Sequence, residues 1–443
     1  MSLRNDRRQF LQTSASVGIG YWLAGGVQAA QSKSPNERIA MASIGIGGKG
    51  GSDAANAAKL GQMVAICDVD EKRLDGAAKL YPRAEKFTDF RKMLDALHKS
   101  IDAVTVSTPD HMHAPAALMA MRLGKHCFCQ KPLTRTIYEA RLMGQVAREM
   151  KVATQMGNQG TAESGLRRQA ALLRAGVVGT VREIHLWTNR PIWPQGITRP
   201  APRPCPQHLK WDLWLGVAPP RPYAEDLPNK GMDKKALKNL RGYHPFKWRG
   251  WWDFGTGALG DMGCHIVNMP FMGLDLRNPI SVVAETSGTN KDSLPAWSIV
   301  TFQFAATKLR PALKLVWYDG GKTPSVELCG GVPPGAGGSL VIGDKGRMLN
   351  GSLSGGAHPL DVKFPESPGH VEEWVRAIKG GEPAMSNFPN YAGPLTETVL
   401  LGNLAIWAGQ KVEWDAATIR SKNVKGLESL IKPTYCPGYT LDT

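Results

Sequence analysis

The sequence predicts an α/β protein made of two bodies: a parallel sheet wrapped by helices, then an α+β domain with a large, mostly antiparallel sheet. Three observations carry that expectation. Between residues 39 and 156 short apolar runs alternate with helical stretches, which requires crossover connections and therefore parallel strands. After residue 156 apolar strands follow one another closely, as antiparallel pairing permits. The chain has 443 residues, enough for two domains that each bury a core.

Within the first body, strands are expected at 39–44, 63–67, 103–107, 126–129 and 152–156, with helices near 52–60, 71–80, 91–98, 115–123 and 137–150. The second body is expected to hold strands at 181–188, 281–285, 298–304, 312–318, 325–328 and 339–342. The boundary falls near Gly157, giving a first domain over 30–156 and a second over 157–443. Residues 190–257 are dense in Pro, Trp and Arg and have no sustained period. Their six tryptophans argue against disorder, so this insertion reads as an ordered binding surface.

Residues 1–29 form a leader. Asp6-Arg7-Arg8-Gln9-Phe10-Leu11 precedes an apolar, Gly- and Ala-rich run and a small-residue exit near Ala29, which resembles a twin-arginine signal peptide. The apolar run is shorter than the roughly 20 residues a membrane span needs. The expected location is therefore periplasmic or otherwise exported, by way of the twin-arginine machinery, with no membrane span in the mature chain. That route moves folded proteins as a class, so a cofactor can be loaded first. The formal charge is +16, or about +14 without the leader, with no block of consecutive basic residues and no nucleic-acid motif. Nucleic acid is not an expected partner. Seven cysteines do not suit a disulfide framework, and Cys67, Cys127 and Cys129 fall in predicted core strands as small, reduced side chains.

The chemistry starts at Gly45-Ile46-Gly47-Gly48-Lys49-Gly50, directly after the first strand. Gly45 permits a tight turn, Gly47 lets backbone approach a pyrophosphate, and Gly50 lets the next helix pack close to the strand. Helix N-terminal amides then favour the phosphates. Asp68 ends the second strand 18 residues beyond Gly50, where a carboxylate meets the adenosine ribose hydroxyls and repels a 2′-phosphate, so NAD is expected rather than NADP. Ser107-Thr108-Pro109-Asp110-His111-Met112-His113 and Gln130-Lys131-Pro132 sit at later strand ends, the edge where such sheets bind ligands. The His-Met-His run lacks the further ligands a metal would need, so no metal is expected. In Gly260-Asp261-Met262-Gly263-Cys264-His265-Ile266-Val267-Asn268, helical spacing puts Asp261, His265 and Asn268 on one polar stripe.

Taken together, the glycine run, Thr108-Pro109-Asp110 with His113, Lys131-Pro132, and Asp261 with His265 resemble the glucose-fructose oxidoreductase, inositol dehydrogenase and rhizopine-catabolism (Gfo/Idh/MocA) family, over nearly all of the mature chain. The resemblance implies a Rossmann domain followed by an open-faced α/β domain, with a carbohydrate lying over the nicotinamide between them. It implies Lys131 as the catalytic lysine, His265 as acid/base and Asp261 as the carboxylate one turn earlier. The cofactor site is expected to draw on Gly45, Ile46, Gly47, Gly48, Gly50, Asp68, Ser107, Thr108, Pro109, His113, Gln130, Lys131 and Asn158. Arg190, Trp193, Trp251, Trp252 and His265 are the expected substrate contacts, the tryptophans by stacking on a sugar ring. Homo-oligomerisation through the exposed sheet face is implied as well. One position departs from the family: Gln130 stands where Glu is usual, which removes a negative charge beside Lys131 and leaves that lysine's proton state open.

The expected activity is hydride transfer between a sugar carbinol and tightly bound NAD. Two alternatives remain open at this stage. One is glycoside cleavage by transient oxidation at C3, elimination and return of the hydride; the other is a non-catalytic sugar-binding protein.

Overall fold

A computed structural model describes residues 38–229, 231–436, 438, 439 and 441. The twin-arginine segment lies outside the described residues. Six parallel strands form the first sheet: β1 (Ala40–Ile44), β2 (Gln62–Cys67), β3 (Glu85–Phe87), β4 (Ala103–Val106), β5 (His126–Cys129) and β6 (Thr154–Met156), in the order β3-β2-β1-β4-β5-β6. All four residues of β4 are buried, as a central strand covered on both faces requires. The order reverses between β1 and β4, which opens a crevice beyond their carboxyl ends. Local chemistry starts the helices: Asp70 caps Glu71–Leu80 by accepting from the Lys72 amide, and Thr136 with Glu139 forms a capping box ahead of Ile137–Glu149.

The second sheet has nine strands, β7 (Val181–Thr188), β8 (Ser281–Thr286), β9 (Ser298–Phe304), β10 (Leu313–Tyr318), β11 (Gly337–Gly343), β12 (Gly346–Leu349), β13 (Ser352–Gly355), β14 (Val412–Asp415) and β15 (Arg420–Ser421). Among the described residues, only the β7–β10 pair of this sheet is parallel. Alternation is plain in β9, where Ser298, Val300, Phe302 and Phe304 are buried while Gln303 is exposed. The strand expected at 325–328 is instead a turn. Ser325 Oγ accepts from the Leu328 amide and the Ser325 carbonyl from the Cys329 amide, so local bonds replace a ladder. All seven cysteines are free, and Cys67, Cys127 and Cys129 are buried in their strands.

The end of the chain returns to the first sheet. Trp374, on helix His370–Ile378, packs against Phe128 and donates its indole N–H to the Ala153 carbonyl at 3.1 Å. Helix Gly393–Ala408, mostly apolar, is buried between helix Ile137–Glu149, helix Gly257–Ile266 and strands β8 and β9, and its Glu397 pairs with Arg141. The 190–257 insertion folds onto the edge of the first domain: Glu71 N donates to His208 O at 2.8 Å and Lys210 N to Val69 O at 2.9 Å. It has a small core of its own, with Trp214, Tyr223, Tyr243, Trp248, Trp251 and Phe254.

A candidate active-site cleft

A cleft of about 550 Å³ runs along the crevice, from Asp68 and Arg73 past Gly45, Gly47 and Gly48 to Ser107, Thr108 and Pro109, and ends at Gln130, Lys131 and His265. Its glycines are required by geometry. Gly45 has φ +80°, and a Cβ there would lie 2.7 Å from Ser107 O; a Cβ on Gly50 would lie 2.0 Å from Gly45 O. Gly48 precedes helix Lys49–Leu60 with no side-chain cap, so the helix's first amides face the cleft unclaimed by a side chain. Asp68 accepts from the Ile46 and Asp70 amides, both at 2.9 Å, while burial pushes its pKa up against those bonds. A glycine cradle, a helix start without a side-chain cap and a carboxylate at the end of β2 fit a dinucleotide lying across the strand ends. Arg73, beside Asp68 and over Gly47, is bonded through Nε to Asp70 at 3.2 Å.

His113 links two strand ends, its ring nitrogens lying 2.8 Å from Pro132 O and 2.9 Å from Thr108 O. Asn158 is fully buried and does not line the cleft: its Oδ1 accepts from Ser386 at 2.5 Å, and its Nδ2 has no partner among the described residues. The neighbouring Gln159 reaches the cleft instead.

At the far end Lys131 Nζ donates to both Asp261 Oδ1 and Asp261 O, each at 2.8 Å. Arg249 Nε lies 3.3 Å from the same Oδ1. Burial works against the Asp261 charge, but the two cations outweigh it and hold its pKa below the usual carboxylate range. Asp261 therefore engages Lys131 and Arg249 rather than orienting His265. The His265 ring has no hydrogen bond to any described residue, and burial, helped by the Lys131 charge, pushes its pKa down to about 4. Asn268 leaves the expected polar stripe: the first helix ends at Ile266, and Asn268 turns inward to bond Thr161 and Tyr391.

The departure at Gln130 has a structural counterpart. Asp53, buried on helix Lys49–Leu60, accepts from Gln130 Nε2 at 2.9 Å and Ser107 Oγ at 2.8 Å and pairs with Lys49. A carboxylate thus stands one bond behind position 130, and only a donor fits in front of it. We expect Gln130→Glu to lower the melting temperature, more at pH 8 than at pH 5, because two buried carboxylates in contact cannot both ionise. The added group's raised folded-state pKa gives stability that is lost as pH rises. Restoring the melt with Asp53→Asn checks the pairing; an unchanged melt in Gln130→Glu alone refutes it.

The expected sugar-stacking faces are not available on the predicted tryptophans. Trp251 is buried, its N–H bonded to Gly242 O at 2.8 Å and its ring against Tyr243. Trp252 packs edge-on against Trp407 and lines a separate small hollow rather than the cleft. Trp193 is buried with its N–H on Gln195 Oε1, and Arg190 reaches Asn189. The insertion presents His244, Pro245, Phe246, Trp248 and Arg249, with Trp214, to the cleft instead. Asp110, part of the strand-end run but given no role there, lines the cleft, and burial raises its pKa to about 7 against a 2.6 Å bond from Thr256 Oγ1.

Residues 38–158 match a family model described as an oxidoreductase family NAD-binding Rossmann fold, and residues 169–309 match the same family's C-terminal alpha/beta domain. Inositol 2-dehydrogenase of Rubrobacter xylanophilus is 34% identical over 109 residues, which cover 24% of this chain and 30% of that protein. A glycosyl hydrolase family 109 protein of Solibacter usitatus is 32% identical over 152 residues, 31% of this chain and 35% of the relative. These matches span about a third of each relative's length. Among solved structures, the WlbA dehydrogenase of Bordetella pertussis, in complex with NADH and UDP-GlcNAcA, shares the fold with a TM-score of 0.59 at 15% identity, covering 86% of this chain and 99% of that one. Aldose-aldose oxidoreductase of Caulobacter crescentus aligns with a TM-score of 0.55 at 15% identity, over 85% and 100%. The chain belongs to the Gfo/Idh/MocA oxidoreductase family, and its first domain is that family's NAD-binding Rossmann fold.

Proposed function

We propose that this protein oxidises a carbohydrate carbinol at the Lys131–His265 end of the cleft. The observation that carries the reading is the convergence of an ion-paired ammonium and an unengaged, neutral imidazole beside the strand ends that form the dinucleotide crevice. NAD, when bound, supplies the hydride acceptor. Lys131 donates a hydrogen bond to the substrate oxygen, and Asp261 fixes the ammonium that makes it. His265 takes the hydroxyl proton at its free ring nitrogen, which a neutral ring is ready to do. Phe246 is the exposed aromatic on the cleft wall and suits one face of a sugar ring, while Trp214 and Trp248, both buried, help to exclude water.

The pH dependence follows from the same groups. Above its pKa His265 is unprotonated and can accept, so the acid limb of kcat/KM for oxidation is expected near pH 4, well below an ordinary histidine's 6.5. A second inflection near pH 7 is expected from Asp110 and should vanish in Asp110→Asn. Initial rates after pH jumps measure both; an acid limb near 6.5 refutes the neutral-base assignment.

A second reading, net glycoside cleavage by transient oxidation, draws support from the relatives named glycosyl hydrolase family 109 proteins. Chromatography separates the two, since free aglycone without added NAD supports cleavage and a stable keto-sugar supports oxidoreduction. Export of the loaded protein belongs to the proposal through the Arg7-Arg8 leader. Acid-quenched protein is then expected to release nucleotide, identified by mass spectrometry, and an absence of nucleotide together with an absence of turnover would instead favour a sugar-binding protein.

A further inference from the structure

We propose that the carbohydrate taken by this cleft carries a carboxylate, and that Arg249 grips it. The inference rests on the oxidoreductase reading above and names its substrate class. Arg249 comes from the insertion, on the single turn Lys247–Gly250, and its guanidinium lies over the rings of Phe246 (4.5 Å) and Trp248 (4.2 Å). That packing fixes the plane of the group and removes water from one side. Nε is engaged by Asp261 and Nη1 by the Phe246 carbonyl at 3.1 Å, while Nη2 has no hydrogen-bond partner among the described residues. Arg249 is 21% exposed, and the cleft it lines is the surface it opens onto.

Charge points the same way. Two cations, Lys131 and Arg249, share one carboxylate, Asp261, while His265 stays neutral. The other acid at this end, Asp110, is buried and half protonated near neutrality. A positive charge is thus left without a full partner in a water-poor site. An anionic group on the ligand cancels it at the remaining N–H of a pre-oriented guanidinium, and a neutral hydroxyl does so only in part. A hexuronate or aldonate satisfies this demand; a plain hexose does not.

The experiment compares D-glucuronate and D-galacturonate with D-glucose and D-galactose on the purified full-length holoprotein, by calorimetric binding and by formation of reduced cofactor. The wild type is expected to bind at least one uronate about 10- to 100-fold more tightly than its matching hexose. Arg249→Met is expected to bring that ratio close to 1, and Arg249→Lys to restore part of it. Equal or tighter binding of hexoses by the wild type overturns the proposal, as does a uronate preference that survives in Arg249→Met. A thermal melt of each variant shows that it is folded. Turnover of hexoses without uronate preference defeats the carboxylate proposal alone, whereas uronate binding without hydride transfer defeats the oxidoreductase reading and leaves the carboxylate site standing.

Discussion

Replacing Lys131 with alanine is expected to lower kcat for carbinol oxidation by about 10²–10⁴-fold, and His265→Ala by a similar factor, while bound nucleotide is retained. The two side chains do different work on one oxygen. Lys131 donates two hydrogen bonds to Asp261, which fix its amine as a donor that stabilises the oxygen's developing charge rather than removing the proton. His265 is neutral and has no competing hydrogen-bond partner among the described residues, so the proton goes there. Because both must act in one transition state, the double variant should fall little further than either single one. Nucleotide retention follows from position: the glycine run, Asp68 and the Ser107–Pro109 strand end touch the cleft along the rest of its length. Lys131→Ala leaves Asp261 with Arg249, so the fold does not acquire an unpaired buried charge. Single-turnover kinetics with nucleotide quantified after acid quench make the test. Normal turnover in either variant would reject the assignment; loss of nucleotide together with activity would move that residue's role to cofactor binding.

What could be read from the sequence is what local spacing determines. The strand ends carrying Gly45, Asp68, Thr108 and Lys131 were legible because a parallel strand, a tight turn and a helix start each leave a signature within a few residues. The resemblance named Lys131 and Asp261 as site residues, but their pairing across 130 positions was not legible, since Asp261 was tied by spacing to His265. Arg249, Trp214 and Trp248 were not legible. Within 190–257 every Trp and Arg looks alike to a periodicity argument, and which of them faces the cleft depends on how His208, Lys210 and His244 dock on residues 69–71. Asp53 was hidden in the same way: only the fold reveals it behind Gln130. The supposed strand at 325–328 shows the converse error, since four residues of suitable composition formed a turn once Ser325 supplied its own local bonds.

Glu373→Ala is expected to destabilise the protein by about 3–5 kcal/mol, the largest loss anticipated from a single site away from the cleft. Glu373 and Arg167 are 2% and 3% exposed and pair through Oε1 and Nη2, linking helix His370–Ile378 to helix Ser164–Arg174. The guanidinium is satisfied on every side, with Nε on Thr161 O at 2.8 Å and Nη1 on Pro365 O at 2.9 Å, so it has no rotamer through which to escape to water. Removing the carboxylate leaves that cation buried with carbonyls alone. It also frees the Met385 amide, which donates to Glu373 Oε2 at 3.0 Å. Two opposing effects decide the size of the loss: desolvating the intact pair already costs stability, so the pair itself contributes little, but breaking it exposes the full cost of one unpaired charge. Glu373→Gln keeps the volume and one of the two acceptor oxygens, so it still takes an N–H from Arg167 or from Met385 and should lose less than the alanine variant. Urea denaturation followed by tryptophan fluorescence measures the difference. A Glu373→Ala protein within about 1 kcal/mol of wild type would mean that water reaches Arg167 and that the joint between the two helices is not dry.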